Sequence, residues 1–466
     1  MKIAVIGAGP AGLAFAKEFL KNDINGSEII ILEKDAVCGG ISRTVQFGAN
    51  RMDIGGHRFL TKNERINRFW RETMPEMKWR DRRSSIFYED SLYEYPLKPK
   101  WKTVRQLGAR RIFSILVSIM ISGMRKLPEN SLENFYINRF GKTLYQMFFE
   151  SYTQKVWGRH PSELSAQWGA QRVKGLSLVK ALLDSFGLKS REISLSDRFL
   201  YPDFGPGQFF EKLLDDCAKL GAKYFSGHRV CKLSSSGNGK TRLACETKGG
   251  QSEFEADIVV SAMPIKEAAD VLDMPSDIYD MACSLSYRDF LSVGILIPPE
   301  SKAADFSENW IYIQKPEVKM GRIQFFRNWS PVMCEDICLG LEYFCDSNNP
   351  EDIWKLDDES ILKIAAAELE ALGMTPHLEN PKGHVERMPM AYPVYSGSFV
   401  HMDKIKKWLL GKENFYCIGR NGQHRYNNMD HSMLTGILTA DLLLGKDVSK
   451  ESIWNVNNEN KYLENK

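Results

Sequence analysis

The feature that most constrains the fold is a glycine-rich turn near the start of the chain. An apolar run at residues 3–6 leads into the turn, an amphipathic segment at 13–20 follows it, and a second apolar run occupies 29–32. This pattern predicts a strand, a tight turn, a helix and a second strand. The turn reads Gly7-Ala8-Gly9-Pro10-Ala11-Gly12.

The three glycines of this turn have the spacing of a dinucleotide-binding motif. Gly7 permits a sharp bend, Gly9 lets the backbone approach a pyrophosphate, and Gly12 lets the helix pack closely on the sheet. Glu33 ends the second predicted strand, where an acidic residue binds a ribose hydroxyl. Unpaired N–H groups at the start of the helix would face the phosphates. We therefore predict a bound dinucleotide rather than a chance glycine-rich turn, with contacts from Gly7, Gly9, Pro10, Ala11, Gly12, Glu33 and Lys34.

Size and composition limit the classes of protein to consider. A chain of 466 residues should form two or three domains, because single cores stop growing near ~250–300 residues. The formal net charge of +3, without a block of Lys or Arg, argues against a nucleic-acid partner. Nine cysteines without a CxxC pair indicate reduced thiols in a cytoplasmic enzyme and no metal site. The first predicted strand begins so close to Met1 that we expect no signal peptide.

The most apolar tract lies at residues 112–124, between Arg110-Arg111 and Arg125-Lys126. It is shorter than the ~20 residues that span a bilayer, so no transmembrane segment is predicted. We expect a buried helix or a helix of a substrate domain, and peripheral contact with a membrane surface is the alternative.

The remaining pattern predicts an α/β protein with a discontinuous Rossmann-like domain, a β-rich substrate domain and a helical insertion. A hairpin at 85–97 precedes successive helices at 104–149, which we interpret as a cover over the substrate site. A buried run at 256–264 predicts a strand that returns to the first sheet. The predicted boundaries are 1–80, 201–275 and 411–450 for the three parts of the dinucleotide-binding domain, 81–200 for the helical insertion, 276–410 for the β-rich domain and 451–466 for a polar tail.

A second glycine pair, Gly39-Gly40, follows the acidic residue, and Gly55-Gly56-His57 lies beyond it. This arrangement resembles the superfamily of FAD-binding amine oxidases, protoporphyrinogen oxidases and UDP-galactopyranose mutases. The resemblance implies that the dinucleotide is FAD, with NAD as the minor alternative. It adds to the expected FAD contacts Gly40, Ser42, Gly55, Gly56, His57, Gly419, Arg420, Asn428 and Met429.

Within that superfamily the chain resembles the UDP-galactopyranose mutase family most. Residues 149–158 are similar to its YTxKQWG motif, with Val156 in place of Gln, and the Trp of that motif lies in the substrate site. Glu342-Tyr343, Tyr392-Pro393 and residues 419–430 are similar to later blocks. The resemblance implies substrate contacts from Trp157, Arg172, Tyr343, Tyr392, Arg420 and Tyr426, and roles at the reacting centre for His57, Arg288 and Arg322. Arg425 is a further cation for a diphosphate.

The resemblance also implies a reaction. In that family the reduced flavin's N5 attacks the anomeric carbon and expels the nucleotide diphosphate, and the sugar recloses in the other ring size before the diphosphate returns. The expected protein is a FAD-dependent pyranose/furanose mutase that acts on a nucleotide-diphosphate sugar in cell-surface polysaccharide biosynthesis. NAD(P)H or a reductase would supply the electrons that keep FAD reduced. Such chemistry needs cations for the diphosphate, aromatic surfaces and exclusion of water.

Two departures from the family pattern favour a different reaction. Leu60 stands where bacterial mutases carry a second histidine, and the helical stretch at 104–149 is longer than theirs. The rival hypothesis is a FAD-dependent oxidase or dehydrogenase related to protoporphyrinogen oxidase or amine oxidase. A flavin-binding protein without catalysis is a third hypothesis, which requires the regions around Trp157 and Arg322 to be idle.

Overall fold

The computed structural model describes residues 1–95, 101–166, 197–395 and 397–457. The strands in chain order are β1 Lys2–Ile6, β2 Glu28–Leu32, β3 Thr44–Phe47, β4 Asn50–Asp53, β5 Lys78–Asp81, β6 Ser84–Tyr88, β7 Ser91–Glu94, β8 Arg198–Tyr201, β9 Lys223–Phe225, β10 Arg229–Ser235, β11 Thr241–Thr247, β12 Gly250–Ala256, β13 Ile258–Ser261, β14 Tyr287–Leu296, β15 Trp310–Ile313, β16 Arg322–Phe325, β17 Cys338–Cys345, β18 Gly383–Pro393 and β19 Phe415–Cys417. The helices are α1 Pro10–Asn22, α2 Glu64–Thr73, α3 Trp101–Met124, α4 Leu132–Tyr145, α5 Ser151–Trp157, α6 Pro206–Lys219, α7 Ile265–Val271, α8 Ser276–Cys283, α9 Phe326–Trp329, α10 Asp358–Ala371, α11 Met402–Leu410, α12 Gly419–Gly422, α13 Met429–Leu443 and α14 Lys450–Trp454.

A five-stranded parallel sheet with the order β19-β13-β1-β2-β9 forms the Rossmann-like domain. Its strands come from separated parts of the chain, so the predicted fold class and its discontinuity are confirmed. Helices α1, α6 and α13 cover one face through a core that includes Leu13, Phe209 and Ile437. On the other face, α7, α11 and the sheet β10-β11-β12 share a second core with β1 and β13. Because all five strands are parallel, their carboxyl ends lie at one edge.

The second large sheet has seven strands in the order β18-β14-β17-β16-β15-β6-β7. Helix α10 packs on one of its faces, against a core with Leu291 and Ile323. The hairpin β6–β7 pairs into this sheet through the parallel contact of β6 with β15. The hairpin therefore belongs with the β-rich region, although the segment 81–200 was predicted as a helical insertion.

Helices α3 and α4 pack against each other, and a π-helix, Gln146–Glu150, connects α4 to α5. Each of the two long helices is interrupted at a glycine with positive φ: 74° at Gly108 and 77° at Gly141. The segment Thr103–Met124 is long and apolar enough, by length and composition, to cross a membrane, yet only 11% of its most apolar window is buried. The predicted helix at 112–124 is present, but the expectation that it is buried is wrong for its outer side.

The end of the described chain is more ordered than its polar composition predicts. Helix α14 begins with a capping box formed by Ser449 and Ser452, and Ile453 and Trp454 are buried. The first residues of the polar tail predicted at 451–466 are therefore helical and partly buried. Residues 167–196 of the predicted helical insertion lie outside the described residues.

Candidate active site

The glycine turn lies at the carboxyl end of β1, where it joins α1. Gly7 has a φ of 100°, which favours glycine. A Cβ on Gly12 would lie 2.0 Å from the carbonyl oxygen of Gly7, so only glycine fits there. At Gly9, by contrast, an added Cβ would meet no atom within 4 Å. The backbone at Gly9 therefore borders open space at the helix N-terminus, as a pyrophosphate site requires.

Other segments reach the same edge of the sheet. Gly40 faces the turn, since its Cβ position is 3.5 Å from the Cα of Gly9, and Gly419 approaches Ala11, with 3.0 Å between Cβ positions. Helix α13 begins at Met429 after Asn428, whose side chain makes no cap hydrogen bond. The start of α1 also packs on the middle of α13, because a Cβ on Gly436 would lie 2.2 Å from the carbonyl oxygen of Ala11. These residues fit an extended dinucleotide.

Glu33 is buried at the end of β2. Its carboxylate accepts hydrogen bonds from the backbone N–H of Ala8 at 2.7 Å and of Asp35 at 2.9 Å. Burial raises the pKa of Glu33, although these two bonds oppose that change. Glu33 therefore holds the turn in place, and its predicted ribose contact stays a prediction. The ammonium group of Lys34 lies 3.4 Å from Glu267 of α7.

The Gly55-Gly56-His57 loop lies against one face of the seven-stranded sheet. A Cβ on Gly55 would lie 3.4 Å from the ring of Phe290, and one on Gly56 would lie 3.1 Å from Nε2 of Gln324. The His57 ring contacts the Ile54 carbonyl oxygen at 2.9 Å through Nε2. Its Nδ1 lies 3.5 Å from the Ser42 hydroxyl.

Burial lowers the pKa of His57 to about 4, and the charges of Arg420 and Arg322 act in the same direction. The imidazole is therefore neutral near pH 7. Asp53, just before this loop, shows the opposite behaviour. Burial raises its pKa to about 7 despite hydrogen bonds from Tyr201 and Thr44.

Strand alternation brings the predicted cations to the sheet face beside this loop. Arg288 pairs with Tyr392 across β14 and β18, and Arg322 pairs with Glu342 across β16 and β17. Arg322 donates to the Glu342 carboxylate through Nε at 2.7 Å, and its Nη2 lies 2.6 Å from the same oxygen. Glu342 is fully buried and also accepts from Gln324 at 2.8 Å. The charge of Arg322 is therefore compensated locally.

Arg288 is held differently. Its guanidinium donates to the carbonyl oxygens of Phe344 at 2.6 Å and Val156 at 3.3 Å. It also packs on Gly158, where an added Cβ would lie 2.7 Å from Nη1. Burial lowers the pKa of Arg288, but the group stays charged because arginine is protonated at any physiological pH. Carbonyl dipoles orient this cation, and no carboxylate among the described residues is bonded to it.

Arg420 lies over two stacked tyrosines. The rings of Tyr392 and Tyr426 are 5.6 Å apart with an angle of 17°, and the Arg420 guanidinium carbon lies 5.5 Å and 4.8 Å from their centroids. Arg420 also donates to the carbonyl oxygens of Asn427 at 2.9 Å and Ala391 at 3.0 Å. Burial raises the pKa of Tyr392, whose charged neighbours include Glu342, Arg322 and Arg420. Arg420, which follows β19 of the parallel sheet, thus lies in one cluster with Tyr392 from β18 of the seven-stranded sheet.

Trp157 ends α5 and is almost completely buried. It packs in a cluster that includes Tyr312, Phe344 and Tyr426. Lys155 fixes this helix to the sheet, because its ammonium donates to the carbonyl oxygens of Ile313, Lys315 and Met320 at 2.7–3.2 Å. Burial lowers the pKa of Lys155 to about 8. The motif at 149–158 therefore positions an aromatic wall beside the cations.

One predicted substrate residue lies elsewhere. Tyr343 is buried in the core on the opposite face of the sheet, with Leu291 and residues of α10. The physical reason is that consecutive strand residues point to opposite faces, so Glu342 and Tyr343 cannot both reach the site. The prediction for Tyr343 is wrong, and Glu342 is the member of this pair that lies on the same face as Arg322. Arg172 lies outside the described residues, and Arg425 is half-buried, with a pKa lowered by desolvation.

The sequence predictions missed a group of cations around Tyr312. Burial raises the pKa of Tyr312, but the charges of Arg322, Arg82 and Arg58 lower it overall. The guanidinium carbons of Arg58 and Arg82 lie 5.3 Å and 5.5 Å from the Trp310 ring. The position of Arg58 directly after His57 was an available signal. Arg82 carries none, because only strand pairing brings it here.

Sequence spacing also gave no sign of a group formed by Glu133, Glu150 and His160. Their possible ligand atoms lie within 4.8 Å of one another. His160 Nε2 is 3.4 Å from Glu150, a contact that an ion pair explains.

Fold and geometry together define a dinucleotide-binding protein of the Rossmann type. Residues 5–73 match the model of the NAD(P)-binding Rossmann-like domain family. The chain is 28% identical over 173 residues to a probable UDP-galactopyranose mutase from Klebsiella pneumoniae, which is 35% of this chain and 43% of that relative. The matched part thus spans less than half the length of the relative.

Solved structures extend the similarity to the whole chain. The structure of a reduced UDP-galactopyranose mutase matches with a TM-score of 0.81 at 19% identity, covering 99% of both chains. A putative protoporphyrinogen oxidase from Exiguobacterium sp. 255-15 matches with a TM-score of 0.71 at 15% identity, covering 95% of this chain and 99% of that one. The resemblance to the UDP-galactopyranose mutase-like branch is therefore confirmed, and at these identities the solved structures establish the fold.

Proposed function

We propose that this protein is a FAD-dependent pyranose/furanose mutase, or a close relative, that acts on a nucleotide-diphosphate sugar. The observation that carries the proposal is the concentration of guanidinium groups on the sheet face beside the Gly55-Gly56-His57 loop. Arg288 and Arg420 bond there to carbonyl oxygens, and Arg58 and Arg82 lie nearby over an aromatic ring. Glu342 compensates the charge of Arg322. Such a surface suits an anionic leaving group.

The glycine backbone at Gly9, Gly40 and Gly419 and the N-terminus of α1 would hold the pyrophosphate of FAD, and the N-terminus of α13 would be aimed at the flavin. Reduced flavin would supply a nucleophilic nitrogen, whereas oxidised flavin would accept a hydride. The neutral His57 beside Ser42 would shape the site near the flavin without adding a charge.

The chain's own residues would bind and orient the substrate. As the bond between sugar and diphosphate breaks, negative charge grows on the diphosphate, and Arg288 is oriented in advance to stabilise it. The stacked pair Tyr392–Tyr426 under Arg420 offers a flat surface, and Trp157 helps to exclude water.

The biological setting belongs to the same proposal. A mutase that needs reduced flavin requires an electron source, which we assign to NAD(P)H or a reductase. For a substrate of this class we propose a reaction in the cytoplasm that supplies precursors for cell-surface polysaccharide.

An anaerobic turnover assay tests the proposal. The purified chain, loaded with FAD, is reduced with dithionite and given UDP-galactopyranose or UDP-galactofuranose, and the ring form of the product is followed by chromatography. We expect interconversion by the reduced enzyme alone and inhibition by UDP. The Tyr343→Phe variant is the matched control, because this tyrosine lies on the far face of the sheet. Turnover by the oxidised enzyme alone would reject the mutase.

A net oxidoreductase is the second candidate, and one observation favours it. Leu60 packs beside an apolar cluster with Trp329 and Phe199, where bacterial mutases have a second histidine. An oxidoreductase would bleach oxidised flavin when its substrate is added and would make peroxide in air. The same enzyme preparation, assayed aerobically for peroxide, distinguishes the two candidates.

A further inference from the structure

The outer side of α3 carries a continuous apolar stripe. Five large side chains at helical spacing are more than half exposed: Phe113 70%, Leu116 54%, Met120 58%, Ile121 55% and Met124 82%. Trp101, at the start of the helix, is 79% exposed. Exposed apolar side chains are common singly, but a row along one helix face marks an interaction surface.

The charged residues of the α3 segment itself all have one sign. Between Trp101 and Lys126 the sequence contains no Asp or Glu, and its basic residues are Lys102, Arg105, Arg110, Arg111, Arg125 and Lys126. Arg110, Arg125 and Lys126 are exposed at the two ends of the stripe, whereas Arg111 pairs with Glu89 at 2.6 Å. The surface is therefore an apolar strip between two basic ends.

The inner side of α3 is tied to the protein. Ile115 and Ser122 are buried, and the Ser118 hydroxyl accepts a hydrogen bond from the backbone N–H of Thr143 at 3.0 Å. Just past the helix, Lys126 donates to the Asn138 carbonyl oxygen at 2.7 Å. Beyond the break at Gly108 the helix has a length of about 24 Å at 1.5 Å per residue, short of the ~30 Å of a bilayer core. Crossing a membrane would break these contacts, but lying on its surface would not.

We propose that the outer face of α3 docks on an anionic phospholipid bilayer. The stripe enters the boundary between headgroups and acyl chains, and the basic ends contact phosphate groups. Charge complementarity selects this occupant over a second copy of the chain. Two copies of a face with basic residues at both ends would place like charges together in either orientation.

Docking would also position the candidate active site near the membrane surface. Helix α3 packs on α4, and α4 continues through the π-helix into α5, which ends at Trp157. Substrates would then reach the enzyme at the cytoplasmic face of the membrane.

Co-sedimentation with vesicles tests the proposal on the full chain. We expect binding to vesicles of mixed phosphatidylcholine and phosphatidylglycerol, and much weaker binding to phosphatidylcholine alone. The variant Phe113→Ser/Leu116→Ser/Met120→Ser should lose binding without a fall in melting temperature, because its substituted side chains are exposed. The variant Arg110→Glu/Arg125→Glu should bind anionic vesicles at least about tenfold more weakly, since each basic residue near the surface contributes roughly fivefold. Ile24→Ser, which removes an apolar side chain that is 94% exposed elsewhere, should bind like the wild type.

Three outcomes would overturn the proposal. Equal binding by the wild type and both α3 variants would place the membrane contact elsewhere. No binding to anionic vesicles, together with a lower melting temperature of the serine variant, would show that another part of the chain covers the stripe. No vesicle binding, together with a dimer that the serine variant converts to a monomer, would identify a second copy as the occupant.

Discussion

The two ends of the candidate site are built by different means. At the nucleotide end the decisive groups belong to the backbone: glycines at positions 7, 9, 12, 40 and 419 and the N-termini of two helices. At the substrate end they are side chains that strand pairing assembles from β14, β16, β17 and β18. The nucleotide end should therefore be sensitive to any added side chain, and the substrate end to the loss of particular charges.

The largest expected effect is at the substrate end. Glu342→Ala leaves Arg322 as an unpaired buried charge, which should lower the free energy of unfolding by about 3–5 kcal/mol. Removing both partners in Glu342→Ala/Arg322→Met should cost less than the single change. Urea denaturation of the wild type, the two single variants and the double variant completes this double-mutant cycle. A double variant less stable than Glu342→Ala would mean that the ion pair does not govern this end.

At the nucleotide end, two substitutions that add one methyl group should differ. Gly12→Ala places a Cβ 2.0 Å from the Gly7 carbonyl oxygen and should lower the free energy of unfolding by about 3 kcal/mol. Gly9→Ala meets no atom within 4 Å, so the apoprotein should be stable within about 1 kcal/mol. Its FAD content, measured by absorbance after reconstitution, should nevertheless fall. Normal FAD content in Gly9→Ala would place the pyrophosphate elsewhere.

Arg288, which has no bonded carboxylate among the described residues, should contribute most to diphosphate binding. Arg288→Met should weaken UDP binding by about tenfold to a hundredfold, the range for a charged hydrogen bond. Arg387→Met is the matched control. Arg387 lies on β18 but pairs with Asp358 of α10 at 2.6 Å. Calorimetric titration with UDP measures both variants, and equal affinities would remove Arg288 from the site.

Two tyrosine variants test which face of the seven-stranded sheet binds the substrate. Tyr392→Phe should lower turnover by roughly fivefold through the loss of one hydroxyl contact, whereas Tyr343→Phe should leave turnover unchanged. Anaerobic assays of both variants with reduced FAD provide the measurement. A larger effect at Tyr343 would contradict the assignment of the faces.

The smallest expected effect depends on pH. The pKa of His57 is lowered to about 4 in the folded protein, from an ordinary value of 6.5. Between these values the unfolded chain binds a proton that the folded chain does not, so stability falls as pH decreases through this window. Compared with His57→Gln, the wild type should therefore lose stability as pH decreases from about 6.5 to about 4.

Asp53 contributes a change of stability with pH of the opposite sign, so Asp53 serves as the control. Its folded pKa is raised to about 7 from 3.8, so its contribution to stability is greatest at low pH and falls as pH increases through that interval. Urea denaturation across both windows should show opposite slopes for the differences from His57→Gln and Asp53→Asn. Parallel curves for His57→Gln and wild type would show that the imidazole is not buried in neutral form.

The sequence predicted the nucleotide end better than the substrate end for a physical reason. A turn between adjacent elements is a local feature, so the spacing of Gly7, Gly9 and Gly12 specifies it. Strand pairing is not local, and which face a side chain occupies depends on register. This is why Tyr343 was assigned to the wrong face and Arg82 was missed. Composition alone could not predict the exposed stripe on α3, because apolar residues occur on both sides of that helix.

The central claim is that a cationic face lies opposite a flavin, and a spectral titration tests it most directly. The oxidised, FAD-loaded protein is titrated with UDP and, separately, with uridine, while the flavin absorbance is recorded. We predict that UDP changes the flavin spectrum and binds at least about tenfold more tightly than uridine, because charged hydrogen bonds to the diphosphate add to the binding free energy. Equal affinities for the two ligands, or a flavin spectrum that UDP leaves unchanged, would contradict the account.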